Sequence, residues 1–298
     1  AKKWGIERWT NHMEEVFEDK PIDLVIIALP NFVHKEAALM AVEAKKNVVC
    51  TKPLSSNAKE AKEMLSAVKR ACIFHGYAET EVFSPAVIKA RGIIKSGGIG
   101  YVLTVRSREA HFGPHEKWFL NPDLTGGGAL NDMGCHCIEA ARYFFGKTLK
   151  PMEVFSWGET LLHDVKGEDN AILLLKFEGG KMAVSETSWT SRGGLDLRNE
   201  VYGSKGAVFT DVTRGTAVKA FSTHGIGYVV EKAESEKGWT FPVIDEARIY
   251  GYHEEMRYFV ECLKKDELPR ETFEDGYVVN VILDAAYKSM KTGKWEKL

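Results

Sequence analysis

Residues Ile22 to Leu29 (IDLVIIAL) are apolar except for Asp23, rich in β-branched side chains, and closed by Pro30-Asn31. A short apolar run bounded by a turn signal predicts a strand buried on both faces. Residues 34–45 (HKEAALMAVEAK) then carry strong helix formers at helical spacing, and Asn47 to Cys50 (NVVC) predicts a second strand. Ser56 to Arg70 has the spacing of an amphipathic helix, with Ser56 or Asn57 as its cap, and Cys72 to His75 (CIFH) predicts a third strand. Strands alternating with helices across short connections predict a doubly wound, mostly parallel α/β layer over residues 1–80.

The pattern then changes. A helix is predicted over Pro85 to Lys95, a strand over 101–109, and a helix over about 130–145. From Glu153 to about Val243 strand-like segments dominate: EVFSWGETLL, NAILLLKF, KMAVSETSW, LRNEVYG, AVFTDV and GYVVEKA. Several alternate apolar with polar positions, as an antiparallel sheet with one covered face requires. Two helices, about 248–265 and 275–291, close the chain. The expected fold class is therefore α/β: a Rossmann-like parallel sheet, then an α+β domain on a large open, mainly antiparallel sheet. The expected division is 1–80, 81–274, and a last helix within 275–298. Apolar residues on both alternations of AILLLKF fit a strand buried within one subunit, or sheets packed face to face in a homodimer.

Composition narrows the function classes. The 298 residues are 44% hydrophobic, 11% aromatic and 28% charged, which fits neither a disordered chain nor a coiled coil. With 40 Lys and Arg against 42 Asp and Glu, there is no basic excess to attract nucleic acid. No apolar stretch approaches the ~18–20 residues of a membrane helix. Five sparse cysteines do not read as a disulfide framework, so a cytoplasmic protein is expected.

The candidate chemistry lies in TGGGALNDMGCHCIEAARYFFG, residues 125–146. Three consecutive glycines permit a sharp loop and a close backbone approach. Asp132 and His136, four apart on the predicted helix, share a face. They form either a surface ion pair or a carboxylate-oriented proton-transfer pair. Cys135-His136-Cys137 does not converge on one ion from a helix, so no metal site is expected. Lys52 follows the second strand and precedes Pro53, at the strand edge where open α/β sheets bind ligands. Its plainer reading is a solvent-facing turn lysine. Pro30-Asn31 ends the first strand at the same edge, with His34 in the following helix.

Taken in order, these segments resemble the nicotinamide-dependent oxidoreductases typified by glucose–fructose oxidoreductase and inositol 2-dehydrogenase. The resemblance is carried by DLVIIALPNFVHKEAALMAVEAKKNVVCTKPL, SGGIGYV at 96–102, the segment Gly126 to His136, and ETFEDGYVVNVILDAAYKSMKTGK near the C-terminus. It implies hydride transfer between NAD or NADP and a secondary alcohol carbon of a sugar, cyclitol or related polyol. It implies that His136 moves the alcohol proton, Asp132 orients it and binds a neighbouring hydroxyl, and Lys52 holds the reacting oxygen. Leu29, Pro30, Asn31, His34 and Thr51, with Lys52, would approach the cofactor. It also implies a homodimer, or a dimer of dimers, through the open sheet, and a last helix packed back on the first domain.

Thr51 stands where such chains usually carry Glu, and GYAETEVFSP at 76–85 offers Glu79 and Glu81 in place of a basic residue. In REAHFGPHEKW, Trp118 would stack on a sugar face beside His115, or the loop would simply cap a domain junction. Redox-assisted glycoside cleavage or epimerisation, and a catalytically silent partner subunit, are the competing expectations. No G-x-G-x-x-G fingerprint precedes the first strong strand. A missing first βαβ portion of about 30 or more residues is therefore expected, with AKKWGI as the tail of a helix.

Overall fold

A computed structural model describes residues 1–215 and 218–298. The elements in chain order are α1 (Met13–Glu18), β1 (Leu24–Ile27), α2 (Asn31–Glu43), β2 (Asn47–Thr51), α3 (Ala58–Ala71), β3 (His75–Ala78), α4 (Pro85–Lys95), β4 (Val102–Ala110), α5 (Pro122–Thr125) and α6 (Cys135–Phe145). There follow β5 (Pro151–Glu159), β6 (Asn170–Phe177), β7 (Met182–Ser188), β8 (Asp196–Gly203), β9 (Ala207–Asp211), β10 (Ala220–Ser222), β11 (Gly238–Thr240), α7 (Glu246–Tyr250), α8 (Tyr252–Lys265), α9 (Phe273–Thr292) and β12 (Glu296–Lys297).

The first three strands form a parallel sheet in the order β1-β2-β3, with Ile27 beside Cys50 and Cys50 beside Tyr77. Helices α2 and α3 pack on it through Ala37, Ala38, Ala41, Met64 and Val68, all buried. Asn57 caps α3 by accepting from the Glu60 amide at 3.0 Å. The third strand starts three residues later than CIFH suggested. Cys72 ends α3 in a left-handed conformation, φ 51°, so the chain turns there instead of extending. AKKWGI is likewise not the tail of an α-helix. Lys2–Trp4 make one 3-10 turn that stops at Gly5, φ 65°.

The second sheet has seven strands in the order β12-β5-β6-β7-β4-β8-β9. Neighbours are antiparallel except β4 and β7, which run parallel. Its inner face (Val105, Val154, Leu173, Leu175, Ala183 and Val201) packs on Ile138, Ala141 and Phe144 of α6 and on Ile282 and Leu283 of α9. The alternation in NAILLLKF is what permits this, since Ala171, Leu173, Leu175 and Phe177 are buried while Ile172 and Lys176 are exposed. The expected strand in GYVVEKA is not formed. Gly225, Gly227 and Lys232 all take positive φ and break the extended chain. Among the described residues no helix is long and apolar enough to cross a membrane.

Helix α9 links the two halves. Asn280 donates to the Ser55 carbonyl at 2.8 Å, and Asp284 accepts from the Ala58 amide at 3.0 Å. On its other side Ser156 Oγ donates to the Ala286 carbonyl. A buried charge cluster fixes the start of α9 to α6. Arg142 pairs with Glu139 and, at 3.2 Å, with Asp275, while Lys147 reaches Glu139, Glu271 and Asp275 at 3.1, 2.7 and 3.1 Å. The Arg142 side chain is only 6% exposed, and its loss leaves Lys147 alone to neutralise the buried Glu139, Glu271 and Asp275. Arg142→Ala is expected to lower unfolding stability by about 3–5 kcal/mol, read from the urea midpoint. An unchanged midpoint would show that the cluster does not hold the two helices together.

Candidate active site

The carboxyl ends of the parallel strands open toward β4 and α6, and a cavity of about 550 Å³ lies between them. Ala28, Leu29, Thr51, Lys52 and Ala78 form its sheet-side wall. Thr80, Glu81, Glu109, His111, His115, Asp132 and His136 face them, and Leu195, Glu231, Lys232, Tyr250 and Tyr252 close the far end.

The glycine loop sets the entry to α6. Gly126 takes φ 90°, and a Cβ there would collide with the Ser56 backbone. Side chains at Gly127 and Gly128 would collide with Tyr287 and Glu168. The Tyr287 hydroxyl accepts from the amides of Gly128 and Asn131 at 3.0 and 3.1 Å and donates to Glu168 at 2.9 Å. The loop therefore lies tight against α9, which only residues without side chains permit.

Leu130–Gly134 then form a π-helical turn before α6 begins. This wider turn undoes the simple i,i+4 relation expected of Asp132 and His136. Asp132 is turned toward Lys52, whose Nζ donates to its main-chain oxygen at 2.8 Å and to Oδ1 at 3.1 Å. Its other oxygen, Oδ2, accepts from Trp189 Nε1 at 3.1 Å and lies 3.8 Å from His111 Nε2. Burial alone would raise the Asp132 carboxyl, but Lys52 and His111 outweigh it and hold the group well below the usual carboxylate range. Lys52 is pushed upward: burial opposes its charge, and Asp132 more than restores it. Lys52 is thus no turn lysine in solvent.

His136 takes a different partner from the one expected. Its Nδ1 is hydrogen-bonded to Glu79 Oε1, and its Nε2 lies 3.8 Å from Glu109 Oε2. Burial pushes His136 down to about 4, and pushes Glu79 and Glu81 up to about 8 and Glu109 up to about 7. His111 is also lowered by burial, to about 4. These are neutralising shifts, the response of charges removed from water in a shared cavity. His136 and Glu79 are close enough to titrate as one unit.

The other expected residues divide. His115 lines the cavity. Trp118 does not; it stacks on Phe119 with ring centres 3.8 Å apart and meets Phe32 edge-on, so Phe119 is the aromatic at the wall. Leu29 and Thr51 reach the cavity, whereas Pro30, Asn31 and His34 are not in its lining. Pro30 precedes α2. Asn31 donates to the Thr125 carbonyl at 2.9 Å, and His34 bonds the carbonyls of Leu29 and Pro53 at 2.7 and 3.0 Å. These buried contacts knit the strand-end loops. Glu109, Glu231 and Tyr252 carried no motif signal, because a β-strand, an irregular loop and a distant helix bring them in. Cys135 and Cys137 are buried, with Cys135 Sγ against the Asp132 carbonyl at 3.2 Å.

A strand-edge lysine and a buried histidine meet in a cavity at the carboxyl ends of a parallel sheet, where doubly wound α/β proteins bind nucleotide cofactors. The comparisons agree. Residues 1–75 match the oxidoreductase family with an NAD-binding Rossmann fold, and residues 87–209 match the GFO/IDH/MocA C-terminal domain. The chain belongs to the GFO/IDH/MocA oxidoreductase family.

Myo-inositol 2-dehydrogenase of Thermotoga maritima is 30% identical over all of this chain and 86% of its own length. Levoglucosan dehydrogenase of Pseudarthrobacter phenanthrenivorans is 27% identical over 99% of this chain and 85% of its own. Among solved structures, GenD2 from gentamicin A biosynthesis in complex with NAD superposes with TM-score 0.94 at 28% identity, covering 100% of this chain and 84% of that one. Levoglucosan dehydrogenase with NADH and levoglucosan gives TM-score 0.85 at 25% identity, covering 100% and 86%.

Proposed function

We propose that Lys52, Glu79, Asp132 and His136 form the proton-handling centre of this NAD(P)-dependent oxidoreductase, which transfers hydride to or from a secondary alcohol carbon of a sugar, cyclitol or related polyol. The observation that carries the reading is the convergence of Lys52 and His136 on one cavity at the strand edge. The relatives that act on inositols and levoglucosan support the substrate class.

The nicotinamide end of the cofactor fits beside Ala28, Leu29, Thr51 and Lys52, which line the cavity at the carboxyl ends of β1 and β2. The cofactor, when bound, supplies the hydride acceptor or donor. His136 handles the proton. With Nδ1–H donating to ionised Glu79, its Nε2 lone pair faces the cavity and accepts the alcohol proton. Lys52, held charged by Asp132, donates to the reacting oxygen and favours the developing alkoxide. Asp132 is a positioning residue for Lys52, and its bond from Trp189 fixes that orientation. His115 stands at the rim where a substrate hydroxyl would arrive.

The division into a cofactor-binding part (1–80), a substrate and subunit-contact part (81–274) and a returning helix (275–298) is supported by the hydrogen bonds from α9 to Ser55 and Ala58. All five cysteines are free, which suits a reducing compartment, and the cytoplasm is the proposed setting. The outer face of the large sheet supports a homodimer, or a dimer of dimers. One row across it reads Phe155, Leu174, Val184, Arg106, Glu200 and Phe209. Trp157, Ile172, Met182 and Tyr202 on the same face are exposed. Exposed large apolar side chains gathered among charged ones on a single sheet face are what a subunit contact covers.

Three outcomes test the reading. His136→Ala should lower polyol turnover by about 100-fold or more, with the fold intact by circular dichroism; near-normal turnover would remove His136 from the role. The second outcome is pH dependence. Glu79 is raised to about 8, so below that pH its carboxyl keeps a proton, donates to Nδ1, and leaves the proton on Nε2. Alcohol oxidation should therefore rise as pH increases through about 8, and carbonyl reduction should fall. Glu79→Gln should abolish that limb, and a limb that persists in the variant would assign it elsewhere. Third, Ile172→Glu should shift the dimer or tetramer toward monomer in light scattering after gel filtration, and an unchanged mass would place the contact on another surface.

A further inference from the structure

Glu81 and Glu109 are not needed for the proton path, yet both are buried at the cavity wall, 3% and 8% exposed. Glu81 sits on the 3-10 turn Thr80–Phe83 and Glu109 on β4. One carboxylate oxygen from each, together with a ring nitrogen of His136, lie within 4.8 Å of one another. Glu81 Oε1 accepts from Asn199 Nδ2 at 2.6 Å, and Asn199 is itself held by Ser107 and Thr210 at 2.7 and 3.1 Å. That side chain is therefore positioned. Its other oxygen, Oε2, has no hydrogen-bond partner, and neither has Oε2 of Glu109. Two buried acceptors left without a donor are costly in a folded protein, and a wall that carries both points to a ligand that supplies the donors.

The donor chemistry selects the ligand. A hydroxyl has one proton to give and can serve only one of the two oxygens. An ammonium has three, carries the complementary charge, and makes the stronger charge-assisted bonds. A divalent metal would also match the acids, but it would take the His136 nitrogen that the proton transfer requires. An ammonium leaves that nitrogen free. The remaining charges agree, since Asp132 already neutralises Lys52, and Glu231 adds a further acid to set against Lys232.

We propose that the substrate is an amino-bearing polyol, an aminosugar or aminocyclitol, whose ammonium group sits between Glu81 and Glu109 on the carbon next to the reacting carbinol. The adjacency follows from Glu109 Oε2 lying 3.8 Å from His136 Nε2, so one ring places its hydroxyl on His136 and its neighbouring amine on the acids. This deepens, and rests on, the hydride-transfer reading. Burial keeps both acids partly protonated near neutral pH, so an arriving cation expels protons.

The test uses matched pairs: 2-amino-2-deoxy-D-glucose against D-glucose, and scyllo-inosamine against scyllo-inositol. Each is followed by NAD(P)H turnover and by calorimetric titration in two buffers of different ionisation enthalpy. In at least one pair the amine should bind, and turn over in kcat/KM, at least tenfold better than its neutral partner, with net proton release. Glu81→Gln, and independently Glu109→Gln, should reduce that advantage at least tenfold. Equal or better use of the neutral partner, or an advantage that survives both substitutions, would overturn the proposal while leaving polyol dehydrogenation in place. Absence of cofactor-dependent turnover with all four compounds and a wider polyol panel would overturn the hydride-transfer reading as well. A stoichiometric divalent ion retained through gel filtration and lost in Glu81→Gln would replace the ammonium with a metal.

Discussion

The contact between Lys52 and Asp132 joins the two halves of the molecule at the wall of the candidate active site. Lys52 comes from the end of β2, and Asp132 from the π-helical turn before α6, and the ammonium meets both the carbonyl and the carboxylate of Asp132. Both side chains are partly withdrawn from water, and each charge offsets the desolvation of the other. Together they fix the distance between the parallel sheet and α6. The glycine loop, the Tyr287 hydroxyl and the charge cluster around Arg142 all serve to seat that helix.

Because Asp132 is committed to Lys52 and Trp189, His136 needs another carboxylate, and Glu79 from the end of β3 supplies it. The cavity thus separates two tasks. One pair keeps a permanent positive charge near the reacting oxygen. The other holds a proton that burial leaves poorly committed to either member, since it drives His136 down and Glu79 up. That difference between a charge held fixed and a proton left mobile is what the chemistry of reversible alcohol oxidation requires.

Much of this was legible in the chain. The apolar run ending at Pro30, NVVC before Lys52, and the triple glycine before Asp132 and His136 located the sheet edge, its lysine and the candidate base. The pairing within the site was not legible. Four-residue spacing joins Asp132 to His136 only if the helix is regular, and the π-helical turn makes it irregular. Glu79 stood out only as a residue where a basic one was expected, and its contact with His136 spans 57 positions. Trp118 was misplaced by one residue for a similar reason: aromatic content is visible in sequence, but which ring of Trp118-Phe119 reaches the cavity depends on the 3-10 turn Lys117–Leu120. Strand ends shifted where a left-handed residue such as Cys72 closed the preceding helix.

The central claim is that Glu79 holds Nδ1 of His136 and leaves Nε2 as the nitrogen that exchanges protons with substrate. Nitrogen-15 NMR of protein labelled in its histidine rings, followed across pH 6 to 10, reads this directly, with His136→Ala used for assignment. The account predicts that His136 Nε2 loses its proton as pH rises through about 8 while Nδ1 gains one, hydrogen-bonded to the newly ionised Glu79. A bare Nδ1 with Nε2 protonated above that pH would contradict it.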